Sequence, residues 1–241
     1  MMQLASDILA TPLNGLCRNV FSSSSQLTLY APNSLGRDNV EQFIREQFQR
    51  FHQAEVHYFM PQLIGLRCAG QLSAAVGLHA AAHMPLFLEQ YLPAPIEDVL
   101  SEHSKCPVQR QHILEIGNLV AGRSGTSLLL MVILSELIAS SDFRWVVFTA
   151  TQEVQSLLHK LNYHPISLAQ ADASKLSSTH NDWGQYYQHQ PRVMAGLALP
   201  AIRHAQQLNR YKLIQQVFAN ELNQLKQQFK QQLKQEARIY A

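Results

Sequence analysis

The feature that most constrains this chain is a buried strand, a glycine-bearing turn and a buried helix in immediate succession. Residues 111–120 (QHILEIGNLV) form a nearly continuous apolar run, which predicts an internal strand covered on both faces. The turn Ala121-Gly122-Arg123-Ser124-Gly125-Thr126-Ser127 follows. Residues 128–140 are then apolar almost all round, as a buried helix is. A phosphate group needs several backbone N–H groups converging on it, and a helix N-terminus supplies them with a favourable dipole. Gly122 and Gly125 have no Cβ, so a ligand can approach the backbone closely there. Arg123 adds a fixed charge, and Thr126 or Ser127 can cap the helix or donate to phosphate. Val120, Gly122, Arg123, Ser124, Gly125, Thr126 and Ser127 are therefore the candidate cofactor-binding residues. The alternative is a turn with a Ser/Thr cap and no ligand, and the motif alone leaves both open.

The flanks extend the pattern. Residues 144–150 (RWVVFTA) predict another buried strand, 152–161 a helix with Val154, Leu157, Leu158 and Leu161 inward, and 163–168 a further strand. Upstream, 26–31 reads as a strand and 39–52 as a helix with Val40, Phe43, Ile44, Phe48 and Phe51 on one face. Residues 60–68 and 71–78 read as a hairpin turning at Ala69-Gly70. Residues 86–92 and 95–104 read as short helices. This alternation predicts an α/β fold over residues 26–200, after a lead-in at 1–25 that ends in four serines.

Residues 201–241 are of another kind. Leu208, Tyr211, Phe218, Leu222, Leu225 and Phe229 recur at three- and four-residue spacing among Gln, Lys and Asn, without Pro or Gly. They predict one long C-terminal amphipathic helix outside the α/β core. From Arg203 onward there are seven Lys/Arg against two Asp/Glu, a net +5, which leaves −3 for the remainder of a chain whose total is +2. The stripe on such a helix needs a partner: the body, a second copy in a homodimer, or a membrane surface.

Glu115 stands inside the apolar strand. Burial raises a carboxyl towards the useful range for a general base, whereas an ion pair with Arg110, Arg123 or Arg144 would make it structural. Asn118, near the strand end, is either its hydrogen-bonding orienter or backbone support. Trp183, Tyr186 and Tyr187 either line a pocket or form a core cluster. His79 and His83 would share one helical face, but no Glu or third ligand completes a metal set, so no metal is expected. Three scattered cysteines read as reduced thiols. No leader pattern and no apolar run of ~20 residues is visible, so a cytoplasmic protein is expected, with any membrane contact peripheral. Nothing points to nucleic acid.

Met60-Pro61, residues 86–92 (LFLEQYL), Pro95-Ile96-Glu97, residues 115–119 (EIGNL), Phe148-Thr149-Ala150-Thr151 and residues 183–187 (WGQYY) together resemble the bacterial thermostable hemolysin family, over about residues 26–198. That family is named for a phenotype, not a mechanism. The same region resembles the GCN5-related N-acetyltransferase (GNAT) superfamily more distantly. This implies a mixed central sheet flanked by helices, with the CoA pyrophosphate and pantetheine at the turn after the fourth strand, where residues 122–127 fall. Residues 157–163 (LLHKLNY) resemble the superfamily's closing helix, but Leu158 takes the place of its usual Tyr general acid and Asn162 that of its Gly. Glu115 is placed like the Glu of acyl-homoserine-lactone and N-acyl-amino-acid synthases. The resemblance implies an acyltransferase: an acyl-CoA or acyl-phosphopantetheine donor, the latter on acyl-carrier protein, a small amine acceptor, Glu115 and Asn118 as catalytic residues, and no metal. A non-enzymatic, membrane-active haemolytic protein is the other reading, carried by the basic tail.

Overall fold

The computed structural model describes residues 25–122, 126–160, 163–176 and 183–239. Seven strands form one sheet in the order β1-β2-β3-β4-β5-β7-β6. They are β1 Gln26–Tyr30, β2 Gln62–Cys68, β3 Gln71–Ala80, β4 Ile113–Ala121, β5 Trp145–Ala150, β6 Ile166–Gln170 and β7 Arg192–Leu197. Every neighbouring pair is antiparallel except β4 and β5. The β2–β3 hairpin turns at Ala69 and Gly70, both with positive φ (51° and 76°), which matches the twist of its strands. With the helices described next, this is the mixed GNAT-like α/β sheet.

On one face lies α1, Arg37–His52, whose Val40 and Ile44 pack with Leu63, Ala75 and Val120. Beside it a 3-10 helix, Phe87–Tyr91, and α2, Ile96–Ser104, cover Ile113, Val147, Val193 and Ala195. Buried Arg37 locks α1 to the chain before β2. Its guanidinium donates to the carbonyls of Tyr30, Met60 and Pro61 and pairs with Glu41 at 2.8 Å. On the opposite face lies α3, Thr126–Ala139, apolar all round because it is covered twice, by the sheet and by the C-terminal helices. A further helix, α4, is Gln152–Lys160.

Two expectations are corrected here. Strand β7 was not anticipated, yet it sits between β5 and β6. The C-terminal stretch is not one helix outside the core. A long helix, α7, Ala219–Ile239, ends the chain, but it is preceded by α5, Ala198–Gln206, and α6, Asn209–Val217. Breaks near Gln207 and Phe218 fold the stripe back on the body. Tyr211, Ile214, Phe218, Leu222, Leu225 and Phe229 are buried with α3 and the sheet in one core cluster. The stripe's partner is therefore the body itself. Among the described residues, no helix is long and apolar enough to cross a membrane.

The geometry of β4 sets up the site. Leu114 and Ile116 face the α3 side, and Ile113 faces the other. A bulge then adds a residue to β4: Gly77 pairs with Gly117, but Ala75 pairs with Val120. The inserted residue is Asn118, with φ 47°. Asn tolerates this left-handed conformation better than most side chains. The bulge shifts the strand's phase, so Leu119 returns to the α3 side and Val120 turns to α1.

Candidate active site

Strands β4 and β5 are paired only from Ile113–Trp145 to Ile116–Phe148. Beyond Ile116 they separate, and residues 117–121 of β4 have no partner on β5. A cavity of about 540 Å³ occupies this gap. Its near arm is walled by Phe48 and His52 of α1, Tyr58, Met60, Phe87, Tyr91, Trp183 and Tyr186. Its far arm lies behind the sheet, among Val132, Leu134 and Ile138 of α3, Val146, Ala198, Ile202 and Tyr211. The volume suits a small-molecule site, and the lining is overwhelmingly apolar.

Glu115 is the ionisable side chain of β4 at this junction. It is 2 % exposed and lines the cavity. Its carboxylate accepts from the backbone N–H of Phe87 at 2.9 Å and of Leu88 at 3.0 Å. These donors are the first residues of the 3-10 helix. Burial pushes the carboxyl up to about 8, although the two N–H groups favour its charged form. Arg110, an expected ion-pair partner, instead holds Glu89 at 2.6 Å and Glu97 at 2.5 Å. Glu89 in turn accepts from the N–H of Leu86 and Ile96, so this pairing fixes the helix that cradles Glu115. Asn118 works on the opposite side of the bulge. Its Oδ1 accepts from Met60 N at 2.8 Å and its Nδ2 donates to Tyr58 O at 3.2 Å. It positions the segment that brings Tyr58 over the cavity, where the ring stacks on Phe87 at 4.6 Å.

Val120 lines the cavity. Gly122, however, spends its N–H on Ser73 O at 2.9 Å. Thr126 is fully buried and its hydroxyl lies 3.5 Å from the same carbonyl. Both groups tie the turn to β3. Arg123, Ser124 and Gly125 lie outside the described residues, as does the side chain of Ser127.

Trp183 and Tyr186 line the cavity, whereas Tyr187 does not; its hydroxyl meets that of Tyr91 at 2.6 Å. Leu158 also lines the cavity and carries no proton to give. His79 is on β3, directly opposite Glu115 in the register, and His83 lies past the strand end, so the two do not share a helical face. Among the described residues no group of three or more metal-ligating side chains converges.

Polar cavity residues that the sequence reading did not assign to the site include His52, Tyr58 and Tyr163. His52 ends α1, and burial, then neighbouring His189, lowers it to about 4. Tyr58 is pushed up to about 12 by burial and then by the Glu115 charge, which marks their proximity. Tyr163 lines the cavity and packs over Gly196 of β7. Tyr163 ends the run 157–163 (LLHKLNY), and His52 follows directly on the apolar face of α1, whereas Tyr58 carried no signal.

The family model described as thermostable hemolysin matches residues 30–201. No functionally curated protein matches the sequence. Among solved structures, the chain is similar to the acyl-homoserine lactone synthase LasI at a TM-score of 0.51 and 12% identity, covering 73% of this chain and 91% of that one. It is similar to a CoA-dependent acyl-homoserine lactone synthase, BjaI, determined with SAM and isopentyl-CoA, at a TM-score of 0.53 and 12% identity, covering 78% and 90%. The N-acyl amino acid synthase FeeM, from uncultured soil microbes, has a TM-score of 0.48 at 13% identity, covering 73% and 96%. At these identities the likeness is one of fold.

Proposed function

This chain belongs to the thermostable hemolysin family, and we propose that it is an acyltransferase moving an acyl group from a thioester to a small amine. The observation that carries this reading is a buried Glu115, held by two backbone N–H groups, at the junction where β4 and β5 part around an apolar cavity. The donor, acyl-CoA or acyl-phosphopantetheine on a carrier protein, lies along the free edge of residues 117–121. Its phosphates reach the turn at 122–127, at the N-terminus of α3, where helix N–H groups lack partners within the helix and favour an anion. The free strand edge offers N–H groups that polarise the thioester carbonyl. The amine enters from the arm walled by Tyr58, Phe87 and Trp183. Glu115, directly or through a water, takes one proton from the amine as its nitrogen bonds to the acyl carbon. The C–S bond then breaks and the thiolate leaves. Asn118 positions the Tyr58 segment. The membrane-active alternative loses its support, because the stripe it needs is buried in the core.

The test pairs a thiol-release assay with calorimetry. Acyl-CoA and acyl-carrier protein are offered with a panel of amines to wild type and Glu115→Gln. Loss of turnover by about 10²-fold or more with donor affinity retained supports the base. Wild type that binds neither donor sinks the reading.

A further inference from the structure

We infer that the far arm of the cavity is a compartment for an unbranched fatty acyl chain, whose length is limited by C-terminal residues that lie beyond the family match. This rests on the acyltransferase reading above for the identity of the chain's head, but not for the compartment itself.

The cavity is continuous from the Glu115 face of the sheet, through the gap between β4 and β5, to the α3 face. An occupant of both arms must thread between two strands. An unbranched chain suits such a passage better than a fused-ring body does. The far arm offers almost nothing polar. Ser135, Tyr163 and Tyr211 are its polar members; Tyr163 packs over Gly196, which shares the sheet face of Val146, and the Tyr211 hydroxyl is committed to Glu136 at 2.6 Å. A charged end placed there would be desolvated with no counter-charge among the residues that line this arm. The occupant is therefore apolar along this whole part of its length.

The wall that ends the arm comes from the C-terminal helices. The family match stops at residue 201, yet Ile202, Ala205, Leu208 and Tyr211 all line the cavity. On α5, Ala198, Ala201 and Ala205 are spaced so as to share one helical face, and all three border the space. Their small side chains leave the volume that larger ones would fill. The end wall is firmly held, since Glu136 of α3 also receives Gln215 Nε2 at 2.8 Å and pairs with Lys226 of α7. A fixed wall at the end of an apolar slot measures length.

The test uses straight-chain primary alcohols, from four to sixteen carbons, titrated calorimetrically into the full-length protein. Each methylene buried should tighten binding roughly two- to four-fold, up to a plateau where the arm is full. Ala205→Phe should move that plateau to shorter chains while short alcohols bind as before. Ile202→Ala should move it to longer ones, which keeps the proposal testable if the phenylalanine variant does not fold. Branched isomers of equal carbon number should bind more weakly. Affinity independent of chain length, an unmoved plateau in both folded variants, or equal binding of branched isomers overturns the proposal. Unacylated CoA and carrier protein are titrated in parallel. Shifted plateaus without any binding of these two would leave the compartment standing and remove the acyltransferase reading.

Discussion

The hydroxyl of Tyr211 donates to Glu136 at 2.6 Å, so the residue that closes the far arm of the cavity is tied to the one acidic side chain of helix α3. Glu136 is 4 % exposed, and Gln215 and Lys226 supply its other bonds. A buried carboxylate is tolerated when it is this fully satisfied, and removing a partner exposes its desolvation cost. Tyr211→Phe should cost about 1–2 kcal/mol in urea unfolding. Lys226→Met should cost about as much or more, because it leaves an uncompensated charge, although Lys226 is partly exposed and water offsets part of that cost. The double variant with Glu136→Gln should recover most of this. No recovery would mean that the network is not the source of the loss.

Glu115 should leave its signature in pH dependence. Its folded-state value of about 8 lies above the ordinary 4.5 because of burial. As a base it must be ionised, so kcat/KM should rise with pH and level off above about 8. The same shift bears on stability with a defined sign. The folded state holds the proton more tightly than the unfolded state, so the contribution is fully present below about 4.5 and is lost as pH rises through about 8. Melting curves of wild type and Glu115→Gln across this window should therefore diverge in favour of the variant as pH rises. Parallel curves would show that the carboxyl does not titrate there.

Most of the sheet and the position of Glu115 were legible because they depend on local patterns. The β2–β3 hairpin follows from two strand-length runs around the turn Ala69-Gly70, and β4 and α3 from apolar runs of strand and helix length. Strand β7 escaped because Arg192–Leu197 is short and follows Pro191, with its apolar content shared between two sheet faces. The three-helix form of the C-terminal stretch escaped for a different reason. The stripe from Leu208 to Phe229 has the right spacing for one helix, and only tertiary packing against α3 breaks it at Phe218. The bulge at Asn118 is likewise a cross-strand property, visible only once Gly77 and Gly117 are paired. The partners of Glu115 are backbone N–H groups, which no side-chain pattern announces.

Gly77 gives a direct test of that bulge. A Cβ there would stand 2.6 Å from Met60 Cγ, 2.7 Å from Met60 Cβ and 2.9 Å from Asn118 Oδ1. The Met60 Cβ cannot swing away as a side-chain tip does, and Asn118 Oδ1 holds Met60 N. Gly77→Ala should therefore push the Tyr58–Met60 segment off the cavity. The expected stability loss is about 1–3 kcal/mol, with weakened amine binding and donor binding largely kept. A crystal structure of the variant with the Asn118–Met60 bond intact would refute this account of the strand.

Removal of residues 207–241 decides between a separable tail and an integral one. The sequence alone predicts that removing residues 203–241 leaves a folded body if the core is complete by Leu199. In the structure, α6 and α7 bury Tyr211, Ile214, Phe218, Leu222, Leu225 and Phe229 against α3 and the sheet, each 3 % exposed or less. Burial of a large apolar side chain stabilises by roughly 1.5–3 kcal/mol. Together these residues contribute on the order of 10 kcal/mol, comparable with the whole stability of about 5–15 kcal/mol expected of a domain. Truncation also leaves Glu136 without Tyr211, Gln215 and Lys226, and opens the far arm to water. The truncated chain should therefore lose its cooperative thermal transition and bind apolar dyes, as loosely packed states do. In the full-length protein, Leu225→Ala should cost about 2–5 kcal/mol, as expected at a core position and several times more than at an appended helix. A truncated protein that melts cooperatively at the wild-type temperature would show that the core is complete without α6 and α7, and the length-limiting wall would then have to be sought elsewhere.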